Sequence, residues 1–348
     1  MSARFPLALM AIIALLVIPA SAQAMHPLPK GGLASIDGTT AYAQDGHHLN
    51  TRDLVSGANK TLPLPAEYAY WNDSPAVSNG RYAGVTDDNE NSGIARLFVT
   101  GPEGITYLSS WKEDLSQCGS KQLPLGLSKS GDVTILELAQ THDAPTHSCL
   151  VDIANTRLVL RSLTGATKQL WLPAKYAAWL AKGSAKLRGD QLLISRPATG
   201  SSSGRFVVLD VAKKKVVFKA DAGRSFVDAV PIAKYGALAR YRHDYRVSAR
   251  HFSYYLPHSR LIYRGNHTQI YACGARTLVA GIGSIKMIGL HRNTLFSKSR
   301  KGNYDYSSVV CSEQVVSYAL EPNVPDIGED PNLPPRVTGL LDLSKFYA

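Results

Sequence analysis

The sequence predicts an all-β fold in which four-stranded antiparallel units stack side by side. Two observations carry this expectation. The first is a short pattern of polar residues, a glycine and then an alternating apolar strand. It appears as SIDGTTAYA at 35–43, SNGRYAGV at 78–85, SKSGDVTILEL at 128–138, KLRGDQLLIS at 186–195 and AKYGALARYR at 233–242. Its glycines, Gly38, Gly80, Gly131, Gly189 and Gly236, are spaced by 42, 51, 58 and 47 residues, the range of repeat architectures. The second is a further hairpin after each copy: HHLNTRDLVSGANKTLPLP, ARLFVTGPEGITYLSS, TRLVLRSLTGATKQLWLP, RFVVLDVAKKKVVFKA and HFSYYLPHSRLIYRG.

Each unit therefore holds two hairpins. A four-stranded sheet cannot bury both faces alone, so neighbouring units must pack on one another. A sixth, degenerate copy is read in HRNTLFSK at 291–298, with Asn293 where glycine stood, because asparagine also tolerates a left-handed turn. Helix has little room; PAKYAAWLAKGSAK at 173–186 is the one segment that reads as a helical turn, lying between units. The run Lys213, Lys214 and Lys215 falls where SGANK and TGATK fall in sister units, and so reads as a solvated hairpin tip.

Strand-only repeats of this length resemble β-propeller blades. The turn xDGxxxxV followed by LDxxxxKVV is similar to WD-repeat, YVTN and TolB-type propellers over about residues 33–320, without the GH…WD signature. Read as blades, the copies count six four-stranded antiparallel units, with a seventh if the C-terminus contributes strands.

Domain limits follow from composition. Residues 1–24 carry an early arginine, an apolar run and a small-x-small ending at Ala22-Gln23-Ala24, the layout of a secretory signal peptide cleaved near Ala24. The apolar run is shorter than the ~20 residues a spanning helix needs. The β-propeller is expected over 25–320. Residues 321–335, EPNVPDIGEDPNLPP, read as a Pro- and acid-rich linker, and 336–348 as a strand-like segment expected to pair with or cover the N-terminal unit near Leu33–Tyr42. The protein is expected to be secreted or periplasmic, monomeric and not membrane-spanning. Cys118, Cys149, Cys273 and Cys311 have no CxxC spacing, and in an oxidising compartment they read as two disulfides, Cys118–Cys149 and Cys273–Cys311.

Sites of chemistry are few. GSSSG at 200–204 matches GxSxG around Ser202, but a strand follows where a nucleophile elbow needs a helix. DDNENSG at 87–93 alternates oxygen donors at Asp87, Asn89 and Asn91, a candidate calcium loop. His142, Asp143 and His147 form a loose group without a defined ligand spacing. The fifth unit is rich in arginine and tyrosine: Arg240, Arg242, Tyr245, Arg246, Arg250, Tyr254 and Tyr255 form a candidate binding surface. Arginine meets carboxylates and phosphates with paired donors, and tyrosine supplies rigid contact area. With a net charge of +11, these residues point to an acidic protein or an anionic glycan as partner. Nucleic acid is disfavoured outside the cytoplasm. No catalytic constellation is found and no cofactor is expected. The expected function is an exported binding protein, in a specific version an inhibitor or immunity protein for an acidic enzyme or toxin. The alternatives are a propeller lyase or hydrolase acting on acidic polysaccharide, or a scaffold of an envelope assembly.

Overall fold

The computed structural model describes residues 25–68, 75–86, 93–112, 121–143, 148–181, 183–200, 202–224, 226–232, 236–242, 250–255, 260–266, 268–273, 276–281, 284–288, 294–299, 304–322 and 337–343. Their strands form antiparallel sheets in chain order. The first sheet contains β1 (Gly32–Asp37), β2 (Thr40–Asp45), β3 (His48–Asp53) and β4 (Asn59–Pro63). The second contains β5 (Ala76–Ser78), β6 (Arg81–Thr86), β7 (Ile94–Gly101) and β8 (Gly104–Lys112). In the third, β9 (Lys121–Leu127) and β10 (Val133–Leu138) precede an inserted ribbon of β11 (Gln140–Asp143) and β12 (Ser148–Val151), and β13 (Arg157–Arg161) and β14 (Thr167–Leu170) complete the sheet.

A single helical turn, α1 (Ala174–Ala177), continues as a 3-10 turn at Ala178–Ala181, within the segment expected to be helical. The fourth sheet contains β15 (Ser184–Arg188), β16 (Gln191–Arg196), β17 (Gly204–Asp210) and β18 (Lys215–Gly223). The fifth contains β19 (Phe226–Ile232), β20 (Gly236–Arg242), β21 (Arg250–Tyr255) and β22 (Arg260–Asn266), and the sixth contains β23 (Thr268–Cys273), β24 (Arg276–Gly281), β25 (Ser284–Ile288) and β26 (Thr294–Ser299). The last sheet has three strands, β27 (Tyr304–Cys311), β28 (Val315–Pro322) and β29 (Val337–Asp342).

The two-residue period of a strand explains how the sheets stack, because successive side chains point to opposite faces. In β16 and β17, Leu192, Ile194, Val207 and Leu209 join a core with Leu136 and Leu158 of the third sheet. The residues between them, Leu193, Phe206 and Val208, join Ala229, Ala237 and Ala239 of the fifth. Tyr42, Leu49 and Leu62 meet Tyr82 and Phe98 between the first and second sheets. Ala83, Leu97 and Val99 meet Val133, Ile135 and Val159 between the second and third. The last sheet packs both ways: Tyr318 and Leu320 meet Leu278 and Met287 of the sixth sheet, while Val315 meets Ile36 and Ala41 of the first. β2, β16 and β17 are thus buried on both faces, whereas the outermost strands β4, β8, β14 and β18 carry exposed residues.

Turn chemistry sets the hairpins. Ser78 pairs with Arg81 across Asn79 and Gly80, whose φ values of 49° and 75° are those of the Asn-Gly turn that matches strand twist. All five second hairpins are present: β3–β4, β7–β8, β13–β14, β17–β18 and β21–β22. The lysine run sits on the β17–β18 turn. There the Lys213 N–H donates to Asp210 Oδ1 at 2.8 Å and Lys214 takes a φ of 51°. The SGA turn of the first sheet uses the same device, with the Val55 and Ser56 N–H groups donating to Asp53 Oδ1.

Three expectations are corrected. The sixth copy is expected at HRNTLFSK, but Thr294–Ser299 is the outermost strand β26, and Asn293 lies outside the described residues. The inner hairpin of that sheet is β23–β24, and the next is β27–β28, whose turn uses Ser312 in place of glycine: its hydroxyl accepts from the Gln314 and Val315 N–H groups. Six equal blades are also not what forms: among the described residues, six four-stranded sheets are joined by one of three strands, and the third carries a two-stranded insertion. Finally, the C-terminal strand does not pair with β1 or β2, although its Leu340 packs against Ile36 and Ala41 of the first sheet. β29 pairs with β28, from Val315↔Asp342 to Leu320↔Val337, because the apolar alternation of 337–341 fits the cores on either side of the last sheet.

Candidate binding surfaces and the central channel

The first strands of the sheets run along a central channel, and at one end their turns form a polar mouth. The described lining comes from five sheets: Asp37 and Gly38 of the first, Val77 and Ser78 of the second, Gly126 and Leu127 of the third, Arg188 and Gly189 of the fourth, and Ser312, Glu313 and Gln314 of the last. The space between them is about 540 Å³.

Hydrogen bonds chain these turns together. The Ser312 hydroxyl donates to the Gly38 carbonyl at 2.6 Å. The Asn79 N–H donates to Asp37 Oδ2 and the Gly80 N–H to the Tyr42 hydroxyl, both at 2.9 Å. Arg81 Nη1 donates to the Lys129 carbonyl at 3.2 Å, on the next turn. An ion pair then links the fourth sheet to the last, with Arg188 Nη2 2.8 Å from Glu313 Oε1, at a sequence separation of 125. Sequence reading found the turn glycines but not these links, because the partners come from different repeats. The one local signal is the polar residue flanking the turn, Asp37 or Ser312.

Burial pushes the Tyr42 phenol up to about 12, against an ordinary value of 10.0. A proton held more tightly in the fold than in the unfolded chain stabilises the fold fully below about pH 10, and this contribution is lost as pH rises toward about 12. Tyr42→Phe should cost ~1 kcal/mol near neutrality, where it removes an acceptor from the Gly80 N–H. Urea titrations of both proteins across the alkaline range check the sign: the gap should narrow from about pH 10 upward, and a constant gap would show that Tyr42 does not titrate with unfolding.

The candidate residues of the fifth sheet separate by register. Arg240 pairs with Ser253 and Arg242 with His251, while Leu238 pairs with Tyr255, so positions 240, 242 and 255 share one side of the sheet. Position 254 pairs with Ala239, and 250 is one residue before 251, so Tyr254 and Arg250 belong to the other set. That set contains Ala237 and Ala239, buried against the fourth sheet. Tyr245 and Arg246 lie outside the described residues. So do the calcium candidates Asp87, Asn89 and Asn91, and His147.

His142 and Asp143 lie on β11, where His142 pairs with Cys149 of β12. Among the described residues no three His, Cys, Asp or Glu side chains gather as a metal-binding group. The expected Cys273–Cys311 disulfide is present and joins the end of β23 to the end of β27, across two sheets. The expected Cys118–Cys149 bond involves Cys118, which lies outside the described residues. Thr199 and Ser202 form an isolated bridge before β17, so GSSSG leads into a strand and not a helix. No helix among the described residues is long and apolar enough to cross a membrane.

No family model matches the chain, and no curated protein matches it. Solved structures do. The β-propeller domain of the Trilobed protease from Pyrococcus furiosus, described as having an open velcro topology, matches at 11% identity and a TM-score of 0.50, over 91% of this chain and 98% of that one. A prolyl endopeptidase matches at 11% identity and a TM-score of 0.46, over 85% of this chain, and the chain spans about half of its length, 47%. TolB from Acinetobacter baumannii matches at 12% identity and a TM-score of 0.39, over 74% of this chain and 62% of that one. At 11% identity the likeness to the Trilobed protease domain speaks to fold alone, and it agrees with the stacked four-stranded sheets: the chain has a β-propeller fold.

Proposed function

We propose that this chain is an exported β-propeller that works by binding an acidic protein or an anionic glycan, in its specific version as an inhibitor or immunity protein. The distribution of charge carries the reading. Every four-stranded sheet has a basic residue on its outermost strand: Lys60 on β4, Lys112 on β8, Lys168 on β14, Lys215 and Lys219 on β18, Arg260 and Arg264 on β22, and Lys298 on β26. Asp221 is the one acid on those six strands. Lysine on an exposed edge also discourages edge-to-edge pairing of sheets, and this accounts for one charge per edge. It does not account for five arginines at 240, 242, 250, 260 and 264 on the strands of a single sheet.

The test uses polygalacturonate as the anionic probe and three multiple variants. Serine at Lys213, Lys214 and Lys215 should leave stability within about 0.5 kcal/mol, as for ordinary surface changes, and should leave binding intact. Arg240→Glu with Arg242→Glu, on one side of the fifth sheet, should weaken co-sedimentation at least tenfold. Serine at Lys60, Lys112 and Lys168 should raise aggregation more than it lowers binding. Equal losses from all three variants would show that net charge alone matters, and the arginine surface would then be abandoned. Release of unsaturated product from the glycan would favour the lyase alternative. N-terminal sequencing of exported protein checks cleavage after Ala24.

A further inference from the structure

The outer edge of the fourth sheet combines length, exposed apolar surface and unbalanced charge. Its outermost strand, β18, runs for nine residues, against five for β4 and four for β14. Val216 and Val217 are 38% and 41% exposed on it, although valine is ordinarily a buried residue. β8 is as long, but its exposed large apolar residue is Tyr107, which lies under the Arg96 guanidinium. Cross-strand register puts Val216 and Lys219 on the side of Leu209 and Val207, which face the third sheet. That sheet ends in the short β14, too short to run along all of β18. A bulge at Val217 bends β18 once, but the four pairs from Phe218 to Asp221 are regular. Asp210 lies 3.7 Å from Lys213, and Asp221 lies 3.6 Å from Arg205. Among the described residues no acid pairs with Lys214, Lys215 or Lys219.

We propose that β18 takes an extended acidic segment of a partner protein as a fifth strand of the fourth sheet. In strand addition, main-chain hydrogen bonds to the open edge supply affinity and alternate side chains set specificity. Apolar residues of the added strand meet Val216 and Val217, and its acids meet Lys215 and Lys219. Lysines that repel a second basic edge attract an acidic one, so the charge that guards this edge against self-pairing also selects its partner. The proposal rests on the reading above that the partner is acidic, and gives that partner a contact separate from the fifth sheet.

The probe is a fluorescent eight-residue peptide of alternating glutamate and valine, titrated with the full chain and read by anisotropy. The salt is ~0.15 M, where exposed charges further apart than about 8 Å are largely screened. The peptide should bind saturably, with polyglutamate of the same length at least tenfold weaker. N-methylating its valine amides or, separately, its glutamate amides removes the donors from one edge of the peptide at a time. One methylated peptide should bind at least tenfold more weakly, and the other as the parent does. Lys215→Glu with Lys219→Glu should weaken the parent peptide at least tenfold and leave polygalacturonate binding unchanged. Arg240→Glu with Arg242→Glu should do the reverse, so failure of either contact shows by itself. Should the lysine variant not fold, the methylated peptides decide on the unaltered chain. No saturable binding, polyglutamate binding as tightly as the peptide, equal effects of the two methylations, or a folded lysine variant that binds as wild type does would each overturn strand addition.

Discussion

Replacing Cys273 and Cys311 together by serine is expected to lower the melting temperature by roughly 10 °C, the second largest effect expected of this chain. The bond closes 38 residues of sequence and ties the inner strand of the sixth sheet to that of the last. In the chain-entropy model a loop of that size contributes ~4 kcal/mol by restricting the unfolded chain. At ~2–4 °C per kcal/mol for a large domain, the shift follows. Cys273 is buried and Cys311 packs against the same core, so the serines also place hydroxyls among Leu278, Met287 and Val316. Differential scanning calorimetry with and without reductant checks this. Wild type under reducing conditions should approach the double variant, and an unchanged midpoint would mean that the bond is absent from the purified protein. Non-reducing peptide mapping of the same sample tests the companion expectation, Cys118–Cys149.

Local chemistry was legible in the sequence, and pairing between distant segments was not. Gly38, Gly80, Gly131 and Gly189 each mark an inner turn with positive φ, a constraint that acts within a few residues and so repeats visibly. The last inner turn escaped because Ser312 achieves the same end by hydrogen bonding, with no glycine to mark it. HRNTLFSK resembles an inner turn because alternating apolar strands look alike whether they lie on the inner or the outer side of a sheet. The burial difference between such strands is set by neighbours: β2 buries Ala41, Tyr42 and Ala43 in succession, while β18 leaves Val216 and Val217 exposed.

The candidate sites show the same division. A cluster of arginines is a compositional fact and could be seen at once. That Arg240 and Arg242 fall on one side of their sheet and Arg250 on the other depends on cross-strand register, which composition does not encode. The Arg188–Glu313 pair joins residues from separate repeats, so no window of sequence contains it.

Truncation after Pro335 is expected to have the largest effect, because the ring of sheets closes through residues at the chain's far end. Among the described residues the first and last sheets share no strand: β1–β4 come from the N-terminal region and β27–β29 from the C-terminal region. Their seam is held by side-chain packing of Ile36, Ala41, Leu54 and Val315, with Leu340 of β29 packed against them, and by the Ser312–Gly38 hydrogen bond. On the other side Leu341 packs against the sixth-sheet core, and Leu343, fully buried, belongs to it.

The Leu343 N–H also donates to the Gln314 carbonyl at 2.7 Å, fixing the end of the strand beside the inner turn. Losing β29 therefore opens two cores at once and strips the pairing from β28, whose Val316, Tyr318 and Leu320 are buried. One buried leucine lost from a core costs ~2–5 kcal/mol, so three apolar residues and a strand's pairing should exceed the disulfide's contribution. The bared edge of β28 should also recruit other chains.

A point variant separates loss of the strand from loss of the segment's other contacts. Gly339 lies against the Tyr318 ring, where an added Cβ would come within 2.2 Å of Tyr318 Cζ, so Gly339→Val should unseat β29 while keeping the chain intact. Both variants should melt more than 10 °C below wild type and show concentration-dependent light scattering. A truncated chain that melts with wild type and stays monodisperse would show that the last sheet holds with two strands, and closure through β29 would be wrong.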